Sequence, residues 1–477
     1  MSDPEDERDP MLLERRRSQA EYYAMFKSKL KNRICLYFCI GFILSAILAV
    51  SAYLLSYHIW ITYLVQEEGS GSNVTTSTLP TTTTTIMATT SENEARSTKN
   101  LVTTTTLMTT TSPEDVCQRR IVGYYSHWES ATLNVNQIEK LTHLVYMFGF
   151  IQPDGSVRID NGDSPALEKR FLNMQKVISG AGRKDLKVMV AVGGHFSDNT
   201  FASTLANPQM KERLLTSTIE LLDKYNIDGI EVHWTYPLEK DGVQHAKLIK
   251  ELRQRMTKLK ISNGRSEDYV LSTVTSRYKQ NRENILYSEI VNDVDFVTVI
   301  PYDWTKLHTL AGPIAPLYGF DEDSVDEAIR DVTCKTKEPS KLNLGVNLFG
   351  IHWNNVSFPL NDKVNQMYTK NDGGRTSHSY VFGRDNHKPG DWVNAKPSWH
   401  EKSRTPYIWD AKDRVFVSFE NARSLEEKSS YAWTKNLGGM TVYVLEQDPK
   451  NIMIDAASSV EKCLRLKQDS VQFDCPT

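Results

Sequence analysis

Eight short runs rich in Val, Ile and Tyr follow one another from residue 121 onward, with segments of helical pattern between them. The predicted strands cover residues 121–125, 143–150, 187–192, 229–234, 269–273, 296–300, 343–348 and 439–444. Strands that alternate with helices predict a parallel sheet. Eight such repeats predict that the sheet closes into a (β/α)8 barrel, a TIM barrel of the α/β class.

Helix starts and one long interval complete this pattern. Ser164 and Asn207 each precede a proline, which is the order expected of a cap residue followed by the first helical residue. The second of these signals starts a predicted helix over residues 209–225. The interval between the last two predicted strands is too long for one helix. Its residues 354–410 carry Gly, aromatic and charged residues without a helical period, which predicts an insertion.

The fourth predicted strand lies in the segment 228–237, which reads Asp-Gly-Ile-Glu-Val-His-Trp-Thr-Tyr-Pro. Side chains alternate between the two faces of a strand, so Glu231, His233 and Thr235 share one face. In a barrel this face points inward, toward the carboxyl-end mouth where barrel enzymes keep their sites. A polar barrel interior without catalysis is the simpler interpretation of the same pattern.

The segment also resembles the D-G-x-D-x-D-W-E-Y-P strand of glycoside hydrolase family 18, the chitinases and chitinase-like lectins. The resemblance extends over residues 118–466. The class that it matches best is that of the metazoan chitinase-like proteins, which includes nematode membrane-anchored ones. Further matching motifs are Ile121-Val122-Gly123-Tyr124-Tyr125, Val190-Ala191-Val192-Gly193-Gly194, Pro301-Tyr302-Asp303 and Leu437-Gly438-Gly439-Met440. The resemblance implies the barrel, with an α+β insertion between strands seven and eight at about 354–410.

The positions at which the segment departs from the family motif argue against hydrolysis. In the family the last acidic residue of the strand, a Glu, is the general acid, and an aspartate two residues earlier orients the sugar's acetamido group. Thr235 and His233 stand at these positions, while Glu231 and Asp228 occupy the two earlier acidic positions. A threonine is not an acid at neutral pH, and a general acid contributes roughly 10²–10⁴ in rate. We therefore expect an inactive member with no catalytic residue and no cofactor or metal. His233 as a substitute acid stays an open alternative.

A sugar groove at the mouth is also implied, because family members stack the apolar faces of sugar rings on aromatic side chains. The residues that match its contacts are Tyr124, Phe148, Tyr302, Asp303 and Tyr443. Tyr443 stands where the family has a tryptophan, and His195 and Ile351 replace a tryptophan and an arginine. Packing of the barrel is the alternative role of the aromatic residues.

Three functions remain open at this point. The first is binding of chitin or other N-acetylglucosamine oligosaccharides without cleavage. The second is a protein-interaction scaffold that has lost glycan binding and acts on a protein partner. The third is an active chitin hydrolase whose acid has moved to another position.

The N-terminal region predicts a membrane anchor. A basic tail over residues 1–33 runs up to an apolar stretch over 34–65, and about 20 helical residues cross the ~30 Å hydrocarbon core of a bilayer. The positive-inside rule places the tail in the cytoplasm and the rest in the lumen or outside the cell, as in a single-pass type II membrane protein. A cleaved signal peptide is the alternative, but the apolar run starts too late and is too long for one.

The net charge of −3 argues against a nucleic-acid partner.

The remaining segments concern the lumenal side. Residues 66–116 are dominated by Thr and Ser and predict an extended stalk, followed by the barrel domain at 117–466 and a tail at 467–477. Asn73 and Asn355 begin N-glycosylation sequons. The lumenal cysteines are Cys117, Cys334, Cys463 and Cys475. They allow three connectivities, of which Cys463–Cys475 is favoured because the two are close in sequence.

Overall fold

The computed structural model describes residues 119–160, 165–194, 197–304, 310–319, 323–356, 369–370, 375–378, 396–448, 450–459 and 473–475. The predicted cytoplasmic tail, membrane anchor and stalk, together with Asn73, lie outside these ranges, as does His195. Within the described ranges, no helix is long and apolar enough to cross a membrane.

Eight parallel strands form a closed barrel. In chain order the strands are β1 (Arg120–Ser126), β2 (His143–Ile151), β3 (Val157–Arg158), β4 (Lys187–Gly193), β5 (Gly229–His233), β6 (Val270–Val274), β7 (Phe296–Val299), β8 (Leu310–Ala311), β9 (Leu342–Asn347), β10 (Gly350–Trp353), β11 (Thr369–Lys370), β12 (Arg375–His378), β13 (Ser398–His400), β14 (Thr405–Asp410), β15 (Val415–Ser418) and β16 (Gly439–Tyr443). The barrel order is β1-β2-β4-β5-β6-β7-β9-β16, and β16 pairs back onto β1. All eight predicted strands are confirmed.

The helices cover the outside of the barrel. They are α1 (Val135–Ile138), α2 (Pro165–Gly180), α3 (Asp198–Ala206), α4 (Pro208–Lys224), α5 (Gly242–Ser262), α6 (Lys279–Arg282), α7 (Tyr287–Ile290), α8 (Val325–Thr336), α9 (Ala422–Thr434) and α10 (Ile452–Ala457). Asn207 caps α4 as predicted, since its side chain accepts hydrogen bonds from the backbone N–H groups of Gln209 and Met210.

The two faces of each strand pack against different layers. Trp234, one residue past β5, faces the helices and stacks on Phe201 with ring centroids 4.9 Å apart. Inside the barrel, Val122, Val145 and Met189 pack in one buried cluster. Each such side chain contributes roughly 1.5–3 kcal/mol when fully buried. The barrel interior is therefore a packed core, and only its carboxyl-end layer is free to form a site.

The insertion lies between β9 and β16, as predicted, and its described part is a five-stranded antiparallel sheet in the order β12-β10-β15-β14-β13. The predicted limits of 354–410 were too narrow, because β10 and β15 also belong to the sheet. Ile351, Trp353 and Phe416 from these two strands are buried in one cluster with Tyr302 of the barrel. The apolar contact with the barrel explains why the sheet extends up to the barrel strands.

The predicted pairing of Cys463 with Cys475 is wrong. Cys475 forms a disulfide with Cys334 of α8, with a Cα–Cα distance of 5.5 Å. The C-terminal segment lies against the barrel, where Phe473 packs on the main hydrophobic core. This contact brings Cys475 to a helix that is 141 residues away in sequence. Cys117 and Cys463 lie outside the described residues.

Candidate functional site at the barrel mouth

Glu231 is the centre of a buried hydrogen-bond network inside the barrel. The Tyr124 hydroxyl donates to its carboxylate, at 2.9 Å from each oxygen, and the Ser272 hydroxyl donates at 3.3 Å. Burial, followed by the charge of Glu231, raises the pKa of Tyr124 well above its usual value. Tyr124 was predicted to bind glycan, but the structure places its hydroxyl on Glu231.

His233 completes this network. Its Nδ1 lies 2.9 Å from a carboxylate oxygen of Glu231. A carboxylate only accepts, so we assign the proton to Nδ1. The imidazole meets the rings of Phe148 and Tyr124 edge to face, with centroids 5.1 and 6.0 Å away. The side chain is thus held by its neighbours on three sides, in a fixed orientation.

Thr235, which the sequence motif matches to the general acid of the family, carries a hydroxyl and no acidic group. It is 1% exposed, and no described residue accepts or donates a hydrogen bond to its hydroxyl. Its place on the inner face with Glu231 and His233 follows from strand alternation. The described residues thus leave the Thr235 hydroxyl buried without a hydrogen-bond partner.

Asp228 does not belong to the site. It precedes β5, at the opposite end of the barrel, where Arg265 donates to one carboxylate oxygen and the backbone N–H of Val188 to the other, at 2.8 Å. Asp228, which matches an acidic position of the family motif, therefore joins two neighbouring strands and lies away from the mouth.

Aromatic side chains line one side of the mouth. Tyr443 lies at its centre, with ring centroids 6.4 Å from Trp128 and 6.1 Å from both Phe349 and Tyr302. Trp128, Phe349 and Tyr443 are partly exposed, whereas Tyr302 is buried. We call these three partly exposed residues the aromatic strip. Trp128 and Phe349 were not predicted as contacts, although each is an aromatic residue just past the end of a barrel strand.

Phe148, another predicted contact, is 8% exposed and stacks on Trp128, with centroids 5.9 Å apart. Gly194 is needed beside it. Gly194 has φ +112°, and a Cβ at this position would lie 2.9 Å from the Phe148 ring. The Gly-Gly pair at the end of β4 therefore makes room for this ring.

Arg277 was not predicted and ties three strands together at the mouth. Its guanidinium donates to the Tyr236 hydroxyl, with Nε at 2.8 Å, and to the carboxylate and the backbone carbonyl of Asp303. Arg277 is 3% and Asp303 6% exposed. Asp303, a predicted sugar contact, is thus paired with a buried arginine. The sequence signal for this ion pair is the position of Arg277 shortly after the end of β6.

Asp198 is a buried carboxyl group that interacts electrostatically with His233. It begins α3 and accepts a hydrogen bond from the backbone N–H of Tyr236 at 2.9 Å. Burial raises the pKa of Asp198 to about 6, and the charge of His233 opposes this shift. Among the described residues, no group of three or more His, Cys, Asp or Glu side chains converges on a metal-binding position.

The raised pKa of Asp198 predicts a pH-dependent stability. A folded-state pKa of about 6 exceeds the ordinary value of 3.8, so ionisation of Asp198 disfavours the folded state above that range. We expect Asp198→Asn to raise the free energy of unfolding by about 1–3 kcal/mol near pH 7.5 and by nothing near pH 3.5. Urea unfolding at both pH values measures this difference.

Asp185→Asn is the control of opposite sign. The hydrogen bond that Asp185 accepts from Arg183 lowers the pKa of Asp185. The ionised Asp185 carboxylate therefore stabilises the fold at neutral pH, and this contribution is lost as the pH falls through the folded-state pKa. A gain for Asp198→Asn that is equal at both pH values would contradict the assignment.

The closed (β/α)8 barrel, with its polar and aromatic residues at the carboxyl ends of the strands, places this chain among the TIM-barrel proteins. The family model of the glycosyl hydrolases family 18 matches residues 120–448. The chain belongs to this family.

Named relatives agree with this assignment. Chitinase A1 of Niallia circulans is 22% identical over a 405-residue alignment that covers 69% of this chain and 56% of that protein. The chain thus spans little more than half of the length of this relative. The solved GH18 chitinase of Cycas revoluta in complex with (GlcNAc)3 has a TM-score of 0.61 at 21% identity and covers 72% of this chain and 99% of its own. The chitinase-like agglutinin of Robinia pseudoacacia has a TM-score of 0.60 at 21% identity, with 71% and 98% covered. These structural likenesses concern the fold.

Proposed function

We propose that this chain is a chitinase-like protein that binds chitin or other N-acetylglucosamine oligosaccharides and does not hydrolyse them. The observation that carries the proposal is the combination of a partly exposed aromatic strip with Thr235 at the position of the general acid. Aromatic rings can stack on the apolar faces of sugars, while a threonine cannot protonate a leaving oxygen at neutral pH. The Cycas revoluta relative, solved with (GlcNAc)3, supports the class of ligand.

The test is a titration of the full chain, purified in a mild detergent, with N-acetylglucosamine oligomers, followed by tryptophan fluorescence. A parallel incubation is analysed for shorter products. We expect saturable binding and no product. Tyr443→Ala should weaken binding roughly tenfold, since it removes one stacking ring. Tyr318→Ala is the control, because this exposed tyrosine packs on Tyr431 and not on the strip.

Two other functions have specific support. The relatives are named as chitinases, and Asp198, with its raised pKa, is the candidate for a relocated acid. Hydrolysis that is abolished by Asp198→Asn would replace our proposal with this one. The pairing of Asp303 with Arg277 removes a predicted sugar contact and favours a protein-interaction scaffold. If no oligomer binds, the protein-interaction scaffold is the function that remains.

We also propose that residues 34–65 anchor the protein as a single-pass type II membrane protein with the barrel on the lumenal or extracellular side. Asn355 is exposed, which suits N-glycosylation on that side. Treatment of the membrane-bound protein with N-glycosidase tests this arrangement. A mobility shift that Asn355→Gln reduces supports it, and an unglycosylated protein in intact membranes contradicts it.

A further inference from the structure

We propose that Arg277 is a specificity-determining residue that closes one side of the mouth, so that the barrel takes the end of an N-acetylglucosamine chain and not its middle. The proposal rests on the proposed glycan binding and concerns how much of a chain the site accepts.

The closed side is built on three neighbouring strands. Tyr236 follows β5, Arg277 follows β6 and Asp303 follows β7, and these strands are consecutive in the barrel. The Arg277 guanidinium donates to both partners and so bridges all three strand ends. The loops after the strands surround the mouth of such a barrel. A side chain that spans them occupies space that a continuing sugar chain would need.

The aromatic strip lies on the other side. Trp128 follows β1, Phe349 follows β9, and Tyr443 ends β16. These strands are neighbours in the order β9-β16-β1, and β1 lies four strands away from β6 in the ring of eight. Trp128 and Arg277 are therefore on opposite sides of the mouth. A ligand stacked on the strip would run toward Arg277 when it is extended.

Displacement of Arg277 by a sugar is unfavourable. Arg277 and Asp303 are both nearly buried, and their pair is a charge-assisted hydrogen bond that a sugar hydroxyl, being neutral, cannot match. Breaking a buried pair also leaves an uncompensated charge.

Aromatic faces on the closed side are occupied as well. The rings of Tyr236 and Tyr278 stack on each other with centroids 5.8 Å apart, and the Arg277 guanidinium lies 5.7 and 5.4 Å from them. Cation–π contact of this kind adds to the stability of the closed arrangement. The described residues of this side therefore engage one another, while those of the strip leave ring surface exposed.

The experiment compares oligomer lengths on the full chain. The disaccharide, trisaccharide and hexasaccharide of N-acetylglucosamine are titrated, with binding followed by tryptophan fluorescence. We expect the trisaccharide and the hexasaccharide to differ by less than about threefold in affinity, a difference below 1 kcal/mol. In the double variant Arg277→Met with Asp303→Asn, which removes both charges together, we expect the hexasaccharide to bind at least about tenfold more tightly than the trisaccharide.

A matched control comes from another arginine–aspartate pair. Arg253 donates to Asp295 at 2.6 Å, before β7 and thus at the other end of the barrel. The double variant Arg253→Met with Asp295→Asn should keep the wild-type length profile. The single variant Arg277→Lys keeps a cation for Asp303 but loses the planar fork that reaches Tyr236. It covers the case in which the first double variant does not fold, and it should show a partial gain with length.

Each result decides the proposal. Wild-type affinity that increases with every added sugar overturns the inference and leaves the proposed function standing. A wild-type plateau that persists in a folded Arg277 double variant also overturns it, because something else then limits the ligand. Absence of binding by any oligomer overturns both the inference and the proposed function. The plateau together with its loss in the variant supports the inference.

Discussion

Replacement of Thr235 by Glu and of His233 by Asp in one variant is expected to give hydrolysis of N-acetylglucosamine oligomers at about 10²–10⁴ times the wild-type rate. Strand alternation places both side chains on the inner face of the barrel, where His233 contacts Glu231 and both residues are buried. Thr235 is 1% exposed, and burial raises the pKa of a carboxyl group, which is the direction that a general acid needs. The variant thus places a carboxyl group, which can donate a proton, where the native chain has the hydroxyl of a threonine.

The matched control is Thr235→Gln combined with His233→Asp. A glutamine has nearly the size of a glutamate but cannot act as an acid, so this control separates acid chemistry from a change in shape. Release of a fluorogenic aglycone from a chitin disaccharide measures the rate. Equal rates in the two double variants, or wild-type turnover as fast as that of the Glu variant, would show that the proton comes from elsewhere, with Asp198 as the first residue to examine.

Lys428→Met is expected to lower the free energy of unfolding by about 3–5 kcal/mol. The Lys428 ammonium of α9 pairs with the Glu420 carboxylate, and their side chains are 1% and 0% exposed. Burial lowers the pKa of Lys428, while the charge of Glu420 opposes this shift. The Ser424 hydroxyl also donates to Glu420. Among the described residues, the neutral Ser424 hydroxyl is then the remaining donor to Glu420, and a buried carboxylate without its cation is strongly destabilising.

The double variant Lys428→Met with Glu420→Gln tests this reasoning. It removes both charges, so most of the stability lost in the single variant should return. Guanidinium unfolding of the wild type, both single variants and the double variant completes the cycle. A loss below about 1 kcal/mol in Lys428→Met would mean that water reaches the pair, as in exposed ion pairs. A double variant as unstable as Lys428→Met would assign the loss to packing.

Most of the barrel could be predicted because its signals are local. Each strand is a short apolar run whose residues decide its conformation and its alternation, and Asn207-Pro208 marks the start of α4 in the same way. The absence of an acidic group at Thr235 is equally local, since it needs only the identity of one residue. Trp128 carried a comparable signal and was missed as a contact because its exposure depends on neighbouring strands.

Contacts between residues that are distant in sequence were harder to predict from the sequence. Asp303 matched a sugar contact, but its carboxylate is taken by Arg277, which is 26 residues away in sequence. Tyr124 was predicted to face a ligand, whereas its hydroxyl donates to Glu231, at a separation of 107 residues. Which of several possible partners a polar side chain finds depends on the order and register of the strands, and these are properties of the closed barrel.

The parallel barrel, the insertion before its last strand and the threonine at position 235 are all apparent from the amino-acid sequence, because periodicity and residue identity are carried by a few neighbouring residues. Three arrangements become visible in the folded barrel alone: the disulfide of Cys475 with Cys334, the ion pair of Arg277 with Asp303, and the place of Trp128, Phe349 and Tyr443 on one side of the mouth. These arrangements arise when barrel closure brings the ends of separate strands together. The free energy of burying and pairing their side chains then selects one set of partners.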